Sequence, residues 1–374
     1  GQLTGTVADA RISTLTSSKL SGALPSIDGS NLTGINAGVG TQGSVNTSGI
    51  ITATSFVPTT GQLSHRNLII NGDMRIAQRA TTSNAVGYVT IDRFSTDYGG
   101  ENEAMSYSQA DISSGSPYEA GFAKSFKVQN GNQTSGAGAG DYVYVRTKLE
   151  AQDIATSGWN FKSASSFITL SFWVKSSVAQ NFYCRLETVD GTAQNFPFET
   201  GSLTADTWTK ITKAIPGNSN LQFDYNNGPG IEIHWDIFRG TDFTNNSVSN
   251  DTWAAYASGT RTKDNTSTWW TTNNATYEIT GVQLEVGSVA TPFEHRSQTE
   301  ELNRCKRYFQ KFAAYSDHYF FGISRAEGGS IARTGINIPI PMRSQPTVAC
   351  PGNRAFKDGT NYTSTSTPSI LAAS

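Results

Sequence analysis

Apolar positions along the chain fall into three regimes. In residues 1–35 they are sparse: Val7, Ile12, Leu15, Leu20, Leu24, Ile27, Leu32 and Ile35, with Gly, Ser, Thr, Asn, Asp and Pro between them. That spacing holds neither a helical stripe nor strand alternation for long. One copy buries too little apolar surface to offset its ordering entropy. Identical copies around a closed rotational axis can bury such a seam. The expectation is a thin, extended trimeric fibrous shaft whose seam is Ile12, Leu15, Leu20, Leu24, Ile27, Leu32 and Ile35; disorder is the alternative. Residues 36–62, dominated by Gly, Thr and Ser, read as a linker with one short strand near Ile50–Ala53.

Residues 63–296 alternate apolar and polar positions, the period of half-buried strands. The clearest strands are Asn67–Arg75, Glu103–Gln109, Gly121–Val128, Asp141–Leu149, Phe167–Lys175, Asn181–Val189, Trp208–Ala214, Gly230–Phe238 and Tyr277–Val286. In Gly230–Phe238, Ile231, Ile233, Trp235 and Ile237 share one face, and Glu232, His234 and Asp236 the other. Turn-rich gaps without helical interludes predict a mainly β domain, an antiparallel β-sandwich.

Ser297–Phe312 changes to helical spacing. Ser297 with Glu300 makes a capping box, and Leu302, Cys305, Phe309 and Phe312 form a stripe. Glu300 and Glu301 in the first turn, with Arg307 and Lys311 towards the end, complement the helix dipole. Residues 313–374 read as a small C-terminal β domain with strands His318–Arg325, Gly329–Pro339 and Thr347–Cys350, broken by Pro339, Pro341 and Pro346. A further strand is open in the tail from Gly359.

Composition narrows the function. Charged residues are 16% and the formal net charge is −2, so no electrostatic footprint for nucleic acid exists. Cys184, Cys305 and Cys350 have no metal-ligand spacing. No apolar run is long enough for membrane insertion. The chain begins at Gly1, so the expectation is that an N-terminal part joining other proteins is absent or was removed.

Four segments resemble known proteins. KLSGALPSIDGSNLTGI resembles shaft repeats in tail-fibre proteins of tailed bacteriophages. RNLIINGDMRIAQR resembles the first strand of a jelly-roll domain in such fibres, although Met74 stands where Phe is common. ITGVQLEVGSVATPFEHRSQTEELNRCKRYFQKF resembles that domain's last strand and following helix, and GINIPIPMRSQPTV a strand of the terminal domain. The resemblance implies a phage tail fibre with a jelly-roll domain akin to carbohydrate-binding modules. It implies a virion location, a homotrimer attached to other tail proteins, and adhesion to a bacterial surface glycan. It also implies a structural calcium ion at Asp73 and Glu285, on the first and last strands; the alternative is that Asp73 bonds its own turn and Glu285 pairs with Arg75 or Arg296.

The candidate glycan site is the polar face Glu232, His234 and Asp236, joined by Trp173, Arg185 and Glu187 if register allows. An aromatic ring stacks on a sugar's C–H face while carboxylates and Arg bond its hydroxyls. The alternative is a solvated face with ordinary cross-strand charge pairs. Trp269 and Trp270 are a second candidate, one pointing in and one out towards sugar or a neighbouring subunit; Trp253 and Tyr256 are similar. No catalysis is expected: no G-x-S-x-G or H-E-x-x-H occurs, and Glu232 and Asp236, four apart on one strand, stand further apart than glycoside hydrolysis needs, although other acid pairs are possible. The alternatives to an adhesive fibre are a polysaccharide depolymerase fibre and a purely structural one.

Overall fold

The computed structural model describes residues 64–312, 324–327, 331–334, 338–347, 355–358 and 361–364. The seven seam residues and the linker lie outside the described residues, as does most of the strand expected at Thr347–Cys350. In chain order the first elements are β1 (Thr82–Ser83), β2 (Phe94–Gly99), β3 (Ser106–Asp111), α1 (Ser116–Glu119), β4 (Lys124–Gln129), β5 (Tyr142–Glu150), α2 (Ala151–Ala155), β6 (Phe167–Ser176), β7 (Asn181–Thr188) and β8 (Gln194–Ser202). Then come β9 (Thr209–Pro216), β10 (Pro229–Arg239), β11 (Ala254–Ala255), α3 (Thr268–Thr271), β12 (Thr276–Val286), α4 (Gln298–Lys306), β13 (Ser324–Glu327), β14 (Ile331–Thr334), β15 (Ala355–Asp358) and β16 (Asn361–Ser364).

Two six-stranded sheets form a β-sandwich, one in the order β1-β3-β4-β12-β6-β9 and the other β11-β8-β7-β10-β5-β2. Their pairings are antiparallel. Period-two alternation decides which residues meet between the sheets. Ile168, Leu170, Phe172 and Val174 of β6 are buried there, as are Ile231, Ile233, Trp235 and Ile237 of β10. Each such side chain contributes roughly 1.5–3 kcal/mol by leaving water. Trp235 is central, with ring centroids 5.9 Å from Phe94 and 5.7 Å, edge-on, from Phe172.

The expected strand Asn67–Arg75 is not a strand. Asn71 and Met74 take φ of 61° and 60°, which breaks an extended path. Asparagine side chains replace the ladder: Asn67 Nδ2 donates to Val282 O (3.1 Å), and Asn71 Nδ2 donates to Ile76 O and Asp92 O (2.9 Å each). A Cβ on Gly72 would lie 2.0 Å from Val282 O, so only glycine fits where this segment crosses β12. The segment is also stitched to the chain leaving the sandwich. Asn67 N donates to Glu294 (2.9 Å), Arg296 Nη1 to Ile69 O (3.2 Å), and Arg75 Nη2 to Arg296 O (2.7 Å).

Four sandwich strands, β1, β2, β8 and β11, escaped the sequence reading. β8 holds Pro197 beyond Gln194 and Asn195, the two residues that pair with β11, and the Pro197 carbonyl accepts from Asp251 N (2.8 Å). β2 is short and mixes polar with aromatic residues.

Ser297 caps α4 as expected, its Oγ accepting from Glu300 N (3.2 Å), but the helix ends at Lys306 rather than Phe312. Cys305 is buried, whereas Phe312 is exposed. Beyond the helix, Arg307 and Tyr308 turn onto buried Glu150: Arg307 Nε and Nη2 donate at 2.8 and 2.7 Å, and the Tyr308 hydroxyl at 2.5 Å. Segment 338–347 also lies against this end, with Arg343 N donating to Arg307 O (2.9 Å). The remaining strands make two antiparallel hairpins, β13–β14 and β15–β16, the second partly in the tail.

Candidate functional site

Glu232, His234 and Asp236 leave β10 on the face away from the core, and register decides what joins them. His234 lies opposite Arg185 on β7 and Arg146 on β5; Glu232 lies opposite Glu187 and Lys148. Tyr144 on β5 lies opposite Asp97 on β2. The sequence placed Arg185 and Glu187 beside the β10 triplet, and the structure brings these five together.

The face is recessed rather than shallow, and it is not the solvated one of the alternative reading. Glu232, His234, Asp236 and Arg185 are 7%, 2%, 1% and 2% exposed, so ordinary surface pairing does not describe them. The connection from β10 to α3 folds over one side. Arg261 N donates to Phe243 O (3.0 Å), Asn245 N to Thr262 O (2.9 Å) and Tyr256 N to Ala193 O (2.8 Å). What remains open is a cleft of about 260 Å³, walled by Tyr142, Tyr144, Phe243 and Tyr256 and floored by the charged groups.

The charges form one network. Arg185 donates Nε to Asp236 (3.1 Å), Nη2 to His234 Nδ1 (3.0 Å) and Nη1 to Glu187. Arg239 Nε donates to the other oxygen of Asp236 (2.7 Å), and Arg146 Nη1 to Glu232 (3.1 Å). Lys148 pairs with the second oxygen of Glu232. Burial, then the adjacent Arg185 charge, pulls the His234 pKa down to about 3, so the ring is neutral near pH 7. Burial pushes Glu232 up, but contacts from His234, Lys148 and Arg146 outweigh it and hold the carboxyl at about 2. These fixed donors and rings suit a polar, ring-shaped ligand that stacks as well as hydrogen-bonds.

Three expected members lie elsewhere. Trp173 belongs to β6 of the other sheet, opposite Lys210 and Thr280, so it cannot share this cleft. Trp269 and Trp270 are both fully buried, and neither points outwards. They sit on the helical turn α3, not on a strand, and Asn130 Nδ2 draws the turn inwards by donating to the carbonyls of Trp269 (3.1 Å) and Trp270 (2.7 Å). Trp253 is buried too, its Nε1 donating to Pro216 O (2.7 Å).

Of the expected calcium pair, Asp73 pairs with Arg75 through Oδ2 and leaves its buried Oδ1 without a partner; Glu285 accepts from Thr291 N (2.8 Å), Thr291 Oγ1 (2.6 Å) and Gln283 Nε2 (2.9 Å), not from Arg75 or Arg296. A cation needs converging oxygen acceptors; both oxygens of Glu285 are taken up by donors, so the two carboxylates do not make a calcium site together. Among the described residues no group of three His, Cys, Asp or Glu is placed to hold a metal.

Sequence reasoning missed much of the cleft. Tyr142, Tyr144, Arg146 and Lys148 alternate with Val143, Val145, Thr147 and Leu149, a legible signal on a strand already recognised. Asp97 was missed with its strand. Arg239, Phe243 and Arg261 belong to a bulge and a loop, where no periodicity operates. A larger cleft of about 400 Å³ lies on the first sheet beside Trp208, but its Lys175 and Glu278 pair with each other (3.1 Å) and Lys175 covers the Trp208 ring at 4.9 Å.

No protein-family model matches the chain, and no curated protein matches it. Some solved structures are similar. One is the enzymatically active domain of tailspike protein 4 of bacteriophage CBA120, at 9% identity and TM-score 0.31, covering 59% of this chain and 21% of that one. Another is the N-terminal cellulose-binding domain of β-1,4-glucanase C from Cellulomonas fimi, at 9% identity and TM-score 0.28, covering 58% and 99%. A third is the xylan-binding domain of CBM 22, at 9% identity and TM-score 0.29, covering 63% and 100%. The chain thus spans about a fifth of the tailspike's length, and at such identities and scores the ligands of these proteins remain theirs.

Proposed function

We propose that this chain is a glycan-binding adhesin, a trimeric phage tail fibre of the virion that holds a bacterial surface polysaccharide in the cleft of the second sheet. The observation that carries the binding reading is the recessed cleft itself. Aromatic walls from Tyr142, Tyr144, Phe243 and Tyr256 stand over a floor of fixed, mutually paired charges. Rings stack on sugar faces, and prepaired charged groups bond hydroxyls without first being ordered. The tail-fibre part rests on the sequence resemblance of residues 19–35, 66–79, 279–312 and 335–348. Three such clefts on one particle gain avidity where geometry lets them engage together.

We read the site as binding without cleavage. A glycosidase needs one carboxylic acid that stays protonated, and Glu232, held at about 2 by His234, Lys148 and Arg146, is not that acid. Saturation-transfer NMR of the full chain against host-surface polysaccharide fragments tests the reading. Transfer to sugar protons is expected, with loss of at least about tenfold in affinity in Tyr144→Ala. Absence of transfer from every fragment, or equal affinity in that variant, overturns it.

A further inference from the structure

We propose that the sugar seated in this cleft is acidic, its carboxylate received at the end formed by Arg239, Arg261 and Phe243; this rests on the glycan-binding reading above. Unsatisfied groups supply the first argument. Among the side chains lining the cleft, two buried polar atoms have no partner, His234 Nε2 and Arg261 Nη1. Arg185 donates to His234 Nδ1, so the ring's proton resides on Nε2. That N–H is 3.3 Å from Glu232 but not aligned to it, and His234 is 2% exposed. Both orphans are donors, but His234 Nε2 already faces the Glu232 carboxylate, so Arg261 Nη1 is the one with no acceptor beside it. Buried donors without acceptors cost free energy until a ligand supplies oxygen lone pairs.

Charge supplies the second argument. Asp236 serves both Arg185 and Arg239, one carboxylate against two guanidiniums. Arg261 has no carboxylate partner among the described residues; its Nε donates to the Tyr256 hydroxyl at 3.0 Å. Arg239 and Arg261 lie 5.9 and 4.9 Å from the centroid of the same Phe243 ring, so two cations flank one aromatic wall. The acidic groups are already committed: Glu232 to Arg146 and Lys148, Glu187 to Arg185, and Asp97 to the Tyr144 hydroxyl at 2.8 Å. Arg146, Arg185 and Arg239 each have a carboxylate partner, so Arg261 is the cleft arginine left with an unanswered charge among the described residues. A neutral sugar, whose hydroxyls both donate and accept, leaves that charge uncompensated. A uronate, which brings an acceptor-only group, answers it.

Isothermal titration of the full chain with oligomers of glucuronate and galacturonate, with their methyl esters, and with neutral glucose and galactose oligomers tests this. The acid is expected to bind at least about tenfold tighter than its methyl ester. Arg261→Gln is expected to bring that ratio near unity. Arg261→Lys, which keeps the charge but not the fork, should leave an intermediate ratio, and thermal melts confirm that both variants fold. Equal affinity for acid and ester, an unchanged ratio in Arg261→Gln, or preference for a sulfated over a carboxylated sugar overturns the uronate while leaving glycan binding intact. No binding by any sugar, acidic or neutral, removes the underlying reading and the uronate with it.

Discussion

At the scale of the residue, His234 experiences burial and charge together. Its pKa falls from 6.5 to about 3 in the fold. As pH drops below about 6.5 the unfolded chain takes up a proton that the folded chain refuses, so stability is full above that pH and is lost towards about 3, at most about 1.4 kcal/mol per pH unit. Glu232, lowered to about 2, adds a second loss that begins only near the ordinary carboxylate value of 4.5. Melting temperature is therefore expected to decline between about pH 6.5 and pH 5, before carboxylates contribute. In His234→Asn that decline should be absent over the same interval; an unchanged slope would assign it to another group. The outward positions Glu232, His234 and Asp236 were legible in the sequence because period two fixes them. Trp269 and Trp270 were misread because alternation was assumed where Asn130, far away in sequence, curls the chain into a turn.

At the scale of the element, strands were legible where inward side chains are large and regular. β6, β7, β10 and β12 fall within a residue or two of their expected bounds. The segment from Asn67 to Arg75 shows the opposite case: its apolar residues look strand-like, but Asn67 and Asn71 satisfy the backbone in place of a neighbouring strand. The loop over the cleft was illegible for a different reason, since its shape depends on carbonyls of distant segments. Gly240 shows how tightly it is seated. A Cβ there would lie 2.3 Å from the backbone oxygens of both Gly138 and Ala139. Gly240→Ala is expected to displace the start of the loop at a cost of roughly 1–3 kcal/mol. Hydrogen exchange should quicken across 240–265 and sugar affinity should fall; unaltered exchange would show that the loop tolerates the shift.

At the scale of the whole molecule, the two-sheet architecture was legible from alternation and turn spacing alone, whereas the location of the cleft needed strand register. The trimeric shaft remains a proposal carried by the sparse apolar spacing of Ile12, Leu15, Leu20, Leu24, Ile27, Leu32 and Ile35. Light scattering of the full chain is expected to give three times the chain mass of 40.2 kDa. A single mass at micromolar concentration would remove the shaft from the proposal.

The seam between the chain's arrival at the sandwich and its departure bears on mechanics. Asn67, Ile69 and Arg75 are bonded to Glu294 and Arg296, so the first described segment lies beside the stretch that follows the last sandwich strand. Tension running along the backbone from one flank to the other is carried across those few bonds. A pull applied between those two points would load this contact before it loaded the ladders of the two sheets.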